Sequence, residues 1–124
     1  MLSKIVTIDD QAVEFKASAA TPRMYRIKFR RDIIQDISKL KKAYAENQTN
    51  SEEFAIADLE IFENVAYIMA KQANPAIENT IEEWLDQFNM FSIYQVLPEI
   101  LMLWMLNEES QVDAKKNLNL VIGK

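Results

Sequence analysis

At 124 residues and 14.4 kDa the chain has the length of one domain, since dividing it would leave each half too small for burial to offset chain entropy. It has no His, no Cys and a single Gly, at position 123. These absences exclude His- and Cys-based nucleophilic machinery, disulfides, ordinary zinc, copper, haem and iron–sulfur sites, and the glycine-rich loops that cradle nucleotide phosphates.

The net charge of −5 conceals a division. Residues 23–42 carry eight basic side chains against Asp32 and Asp36, a local charge of +6, whereas residues 46–109 carry thirteen acids against Lys71, a local charge of −12. Complementary potentials of this kind let a chain close on itself or stack head to tail with its copies.

Taken in chain order, Ile5, Val6 and Ile8, then Val13, Phe15 and Ala17, flank Asp9-Asp10-Gln11 and predict a β-hairpin over 2–18. An isolated hairpin is marginal in water, so it must lie on the helices or pair with another chain. Thr21-Pro22 reads as a helix start, with Thr as cap and Pro at the first helical position. Tyr25, Phe29, Ile33, Ile37, Leu40 and Tyr44 then share one helical face, predicting helix over about 22–45. Asp32 can cap a second helix after a break near Arg30-Arg31, so one helix or two end to end are both compatible with the pattern.

A polar loop over 45–51 follows, and Ser51 can cap a helix over about 52–73. Leu59, Phe62, Ala66, Met69 and Ala73 form its stripe, widened by Ile61, Val65 and Ile68, which marks it as the central helix. Asn74-Pro75 ends it. Thr80–Glu83 and Ser92–Gln95 have the spacing of capping boxes and predict helices over 80–90 and 93–107, with Pro98 kinking the second or moving its start. Residues 110–124 mix polar and apolar residues and predict a flexible tail. The expected architecture is therefore a single globular domain over 1–109, mainly α with an N-terminal β-hairpin (α+β) and four to five helices. No apolar run resembles a secretory signal. Phe88–Leu106 is interrupted by too many polar residues to span a bilayer, so a cytoplasmic location is expected.

Two surfaces and one acidic cluster stand out. Arg23, Arg26, Lys28, Arg30 and Arg31 can track a phosphate backbone, or form a solvated face that pairs with acidic helices of the same or a neighbouring copy. Trp84, Phe88, Met90, Phe91, Tyr94, Leu101, Met102, Trp104 and Met105 either line a groove for a partner or fill the core. The run 101–106 is apolar on every helical face, more than so small a domain is expected to cover alone. Glu82, Glu83 and Asp86 sit where acids complement a helix dipole, and that electrostatic role outweighs acid–base or Mg²⁺ chemistry.

The order of segments resembles a known family. The hairpin, then Thr21–Arg26 running on to Arg31–Ile34, then Phe62–Tyr67, then Ile81–Leu85 leading into Phe91–Tyr94 and Leu97–Ile100, is similar to the tail assembly chaperones of long-tailed phages and prophages of Gram-positive bacteria. The likeness covers residues 1–107 and rests on order and apolar spacing, with no catalytic signature. It implies a non-enzymatic protein without cofactors that keeps the tape measure protein soluble and extended and recruits tail tube protein subunits around it. Such a protein self-associates, works in the host cytoplasm and leaves before the virion is complete. Many members exist in two lengths through a ribosomal frameshift, and this chain would correspond to the short form. Arg30 departs from the family pattern, where a Gly often precedes the Arg-Asp pair, and this favours one continuous helix. The competing reading from the residues alone is a small nucleic-acid-binding regulator using the basic segment 23–42.

Overall fold

A computed structural model describes residues 2–46, 56–90 and 92–104. Strands β1 (Leu2–Ile8) and β2 (Gln11–Ala17) pair antiparallel, with Val6 opposite Val13 and Leu2 opposite Ala17. The connecting residues Asp9 and Asp10 both have positive φ, 50° and 65°, which matches the twist of the strands they join. Ile8, Phe15 and Ala17 are buried on one face, which lies against the central helix α3 (Ile56–Ala73). Ile5 faces the other way and is 66% exposed, as the two-residue period of a strand requires.

The segment 22–45 is two helices, α1 (Ala20–Phe29) and α2 (Ile33–Glu46), so Arg30 does not make the helix continuous. Arg30 itself takes the left-handed conformation, φ 59°, and its amide donates to the Arg26 carbonyl at 2.8 Å. It ends α1 as a glycine would, at a steric cost that a Cβ imposes. Asp32 Oδ1 then accepts from the Ile34 amide at 2.9 Å, the role expected of a cap.

Helix α1 begins earlier than Thr21-Pro22 predicts, at Ala20. Thr21 is buried, and its hydroxyl accepts from the Ser18 amide at 2.9 Å and donates to Gln72 Oε1 on α3. It therefore ties the end of the hairpin to the central helix instead of capping. Pro22 still falls in the first turn, where amides have no intrahelical acceptor.

Helix α3 supplies the middle of the core: Ile61, Phe62 and residues 65–70 are all buried. Ile33, Ile37 and Leu40 of α2 and Tyr25 of α1 complete the same core. After Ala73, Asn74 closes the helix by donating its amide to Ala70 O at 2.9 Å. The loop beyond is tied down by Tyr67, whose hydroxyl donates to Glu78 O at 2.6 Å, and by Lys71 Nζ, which donates to Ile77 O at 2.8 Å.

Beyond Thr80 the helices are divided differently from the expectation, and residues 105–107 lie outside the described residues. Thr80 Oγ1 accepts from Glu83 N at 3.2 Å, but α4 spans only Ile81–Leu85, followed by turns. The helix expected over 93–107 is divided into a 3₁₀ turn, Ser92–Val96, and a helix α5 over 97–104. Pro98 sits in the first turn of α5, so it moves the start of the helix instead of kinking it. Ser92 does not act as the predicted cap. Its hydroxyl donates to Asp9 Oδ1 at 2.6 Å, and Asp9 also accepts from the Asn89 amide at 2.7 Å and side chain at 3.1 Å. These bonds, that of Ser92 foremost, hold the Asp9 carboxyl below its usual range. The expected loop over 45–51, the cap at Ser51, the first turn of the helix expected from 52 and the tail over 110–124 lie outside the described residues, apart from residues 45 and 46 in α2.

Candidate functional site

The aromatic set forms the centre of the domain. Trp84 is 1% exposed and stands edge-on to Phe15 at 6.5 Å, Tyr67 at 5.7 Å and Phe88 at 5.3 Å between ring centroids, the arrangement that ring quadrupoles prefer. Trp104 is buried, and its Nε1 donates to Met69 Sδ at 3.3 Å. Leu101 is buried too, while Tyr94 is half-buried, stacks at a tilt on Phe62 and donates its hydroxyl to Glu63 at 3.1 Å. That contact reaches a Glu63 carboxyl whose pKa is raised, by burial first and by neighbouring Glu60.

Trp84, Phe88, Leu101 and Trp104 are thus core side chains in this conformation, and Trp84 and Phe88 also line a surface groove of about 660 Å³ beside β2 and the end of α3. The apolar run at 101–104 is covered by the domain itself except at Met102, which is 51% exposed. Part of that cover comes from α3, through Met69 against Trp104. Phe91 and Met105 lie outside the described residues. Among the described residues the large apolar side chains left in solvent are Met90, at 79% exposure, and Met102, both of this cluster, with Ile5, Ile27 and Ile34 elsewhere. Met90 and Met102 carry no signal in the sequence distinguishing them from their buried neighbours.

The basic set separates by role. Arg31 makes a two-pronged ion pair with Asp36, Nε to Oδ2 at 2.8 Å and Nη2 to Oδ1 at 2.7 Å, and Tyr25 donates its hydroxyl to the same Oδ2 at 2.6 Å. Asp36 is 2% exposed. Burial works to raise its pKa, but the hydrogen bonds from Arg31 and Tyr25 and the Arg31 charge outweigh that effect and hold it below the usual carboxylate value. Burial, then Asp36, pushes the Tyr25 phenol strongly upward. Arg31 is therefore part of the clasp joining α1 to α2 across the break. Lys28 sits over the Tyr67 ring at 5.5 Å.

Arg23, Arg26 and Arg30 remain exposed at i, i+3 and i+7 around the α1–α2 elbow, and their side chains have no ion-pair partner among the described residues. Arg26, Arg30 and Arg31 also line a surface recess of about 470 Å³ together with Pro22, Asp32 and Ile33. Glu82 and Glu83 occupy the first turn of α4. Among the described residues no three carboxylates are grouped so as to hold a metal ion, and no helix is long and apolar enough to cross a membrane. Compared with family models, with curated proteins and with solved structures, the chain matches none of them.

Proposed function

We propose that the protein is a non-enzymatic tail assembly chaperone of a long-tailed phage or prophage, acting in the host cytoplasm on the tape measure protein, assisting recruitment of tail tube subunits and remaining out of the mature virion. The reading starts from the resemblance in segment order. The observation that carries it further is the exposure of Met90 and Met102 at the edge of an otherwise buried aromatic core. Unbranched, polarisable Met side chains in solvent adapt to varied apolar partners, which suits a protein that shields a long helical chain along its length.

The test is co-expression with the tape measure protein. Met90→Asp with Met102→Asp is expected to abolish rescue of its solubility while leaving the chaperone folded. A folded double variant with full rescue overturns the site. A nucleic-acid-binding role is the second reading, favoured by the exposed Arg23, Arg26 and Arg30, which have no ion-pair partner among the described residues. It predicts a gel shift at low salt that weakens steeply as salt rises, and no shift at low salt ends it.

A further inference from the structure

The hairpin leaves one strand edge open, and the groove beside β2 follows it. Among the described residues β2 has a strand on one side only, β1. The two-residue turn makes Ile8 and Gln11 a hydrogen-bonded pair, and the pair types alternate from there, so Ala12 and Glu14 direct amide and carbonyl away from β1. Among the described residues no hydrogen bond from outside the hairpin reaches those groups. Four consecutive residues, Gln11–Glu14, line the groove of about 660 Å³. Successive strand residues point to opposite faces, so all four can line it only where it runs along the strand's edge. Ala70 and Ala73 of α3, Ile77, Trp84 and Phe88 supply apolar surface beside that edge, and the charged residues of the lining are both acids, Glu14 and Glu78. Tyr67 and Lys71 fix the loop side by donating to the Glu78 and Ile77 carbonyls, so an incoming strand requires little ordering of the groove.

An unpaired edge beside apolar surface is a template for one more strand. The sequence past Trp104 holds a segment with that chemistry. Over 117–122 the residues suit a strand, with Leu118, Leu120 and Ile122 on one face and Asn117, Asn119 and Val121 on the other. Residues 115–124 carry Lys115, Lys116 and Lys124 and no acid, opposite in sign to the groove. The tether is long enough. Trp104 is seated on Met69, next to Ala70 of the groove lining, and residues 105–116 can extend about 40 Å, comparable with the width of the whole domain at roughly 35 Å. We infer that residues 117–122 pair with the free edge of β2 of their own chain as a third strand, with Leu118, Leu120 and Ile122 against Ala70, Ala73, Trp84 and Phe88 and the flanking lysines beside Glu14 and Glu78. The tether holds the segment at a millimolar effective concentration, so a contact of few residues keeps it seated. Any other chain that enters the groove must displace it. The inference stands apart from the chaperone reading, because it concerns contacts within one chain and its test uses no partner.

Amide hydrogen exchange followed by NMR on the full chain reads the pairing directly. The Ala12 and Glu14 amides are expected to exchange at least about tenfold more slowly in the unmodified chain than in Leu118→Asp with Leu120→Asp. The Val65 and Ala66 amides of α3 are expected to exchange alike in both, which checks that the variant is folded. The absence of Cys permits a second measurement, because a nitroxide on Lys124→Cys is then the single label on the chain. It is expected to broaden the Ala12 and Ile77 signals when label and isotope are on the same chain. A mixture of nitroxide-bearing chains without isotope and isotope-labelled chains without nitroxide is expected to leave those signals sharp. Three results overturn the proposal: equal exchange of Ala12 and Glu14 in the two proteins, signals untouched by the nitroxide on their own chain, or equal broadening in the mixture, which would place the segment on another copy.

Discussion

The aromatic C-terminal third and the basic elbow are the two regions that dominate the sequence, and the structure treats them oppositely. Trp84, Phe88, Leu101 and Trp104 turn inward into the core, whereas Arg23, Arg26 and Arg30 stay in solvent with no ion-pair partner among the described residues. The contrast follows from transfer energetics. An aromatic side chain is stabilised wherever any cover exists, while a guanidinium enters the interior only with a partner in place. Arg31 illustrates the second condition within the basic region: with Asp36 positioned to receive it, it leaves the set available to ligands.

The largest test of this contrast is Trp84→Ala. Removing the ring that Phe15, Tyr67 and Phe88 surround is expected to cost about 3–5 kcal/mol, measured by urea denaturation. A loss under about 1 kcal/mol would show that the indole is not packed as the ring contacts indicate.

Next is Asp36→Asn, expected to cost about 1.5–3 kcal/mol, since charged hydrogen bonds from Arg31 and Tyr25 are lost at a buried site. The pH dependence has a definite sign. The folded pKa of Asp36 is depressed, so its stabilisation is present above the unfolded value of about 3.9 and is lost as pH falls through the folded value. Denaturation midpoints across the acid range are therefore expected to fall more steeply for the unmodified protein than for Asp36→Asn, and parallel acid limbs would contradict the clasp.

A smaller gain is expected at the break. Arg30→Gly relieves a left-handed φ at a residue with a Cβ and should stabilise by about 0.5–1 kcal/mol in thermal unfolding. Destabilisation would mean that the Arg30 side chain contributes packing at the elbow. Smallest of all is Arg23→Ala, expected to change stability by less than about 0.5 kcal/mol. A larger loss would place Arg23 in an intramolecular contact and remove it from the free face.

Much of the fold was legible because its signals are local. The hairpin turn at Asp9-Asp10, the buried face through Tyr25, Ile33, Ile37 and Leu40, the stripe on α3 and the stop at Asn74-Pro75 follow from side-chain period and backbone sterics. Local rules misread Thr21 and Ser92. Both have the chemistry of caps, but each hydroxyl is taken by a residue distant in sequence, Gln72 for Thr21 and Asp9 for Ser92. The candidate surface was less legible still. Apolar residues at 101–104 look alike to periodicity, and which of them meets solvent depends on what packs over them, as Met69 of α3 does over Trp104.

Sequence alone determined the domain's class, the exclusion of His, Cys and glycine-loop chemistry, and the segregation of +6 from −12 along the chain, since these depend on composition and short-range order. Tertiary structure decided which of the flagged residues are accessible. It buried the tryptophans, bound Arg31 to Asp36, left Met90 and Met102 outside, and built an acidic groove from strand, helix and loop. Accessibility is a property of what packs over a residue, and for each of these the covering or partnering groups come from another element of the chain.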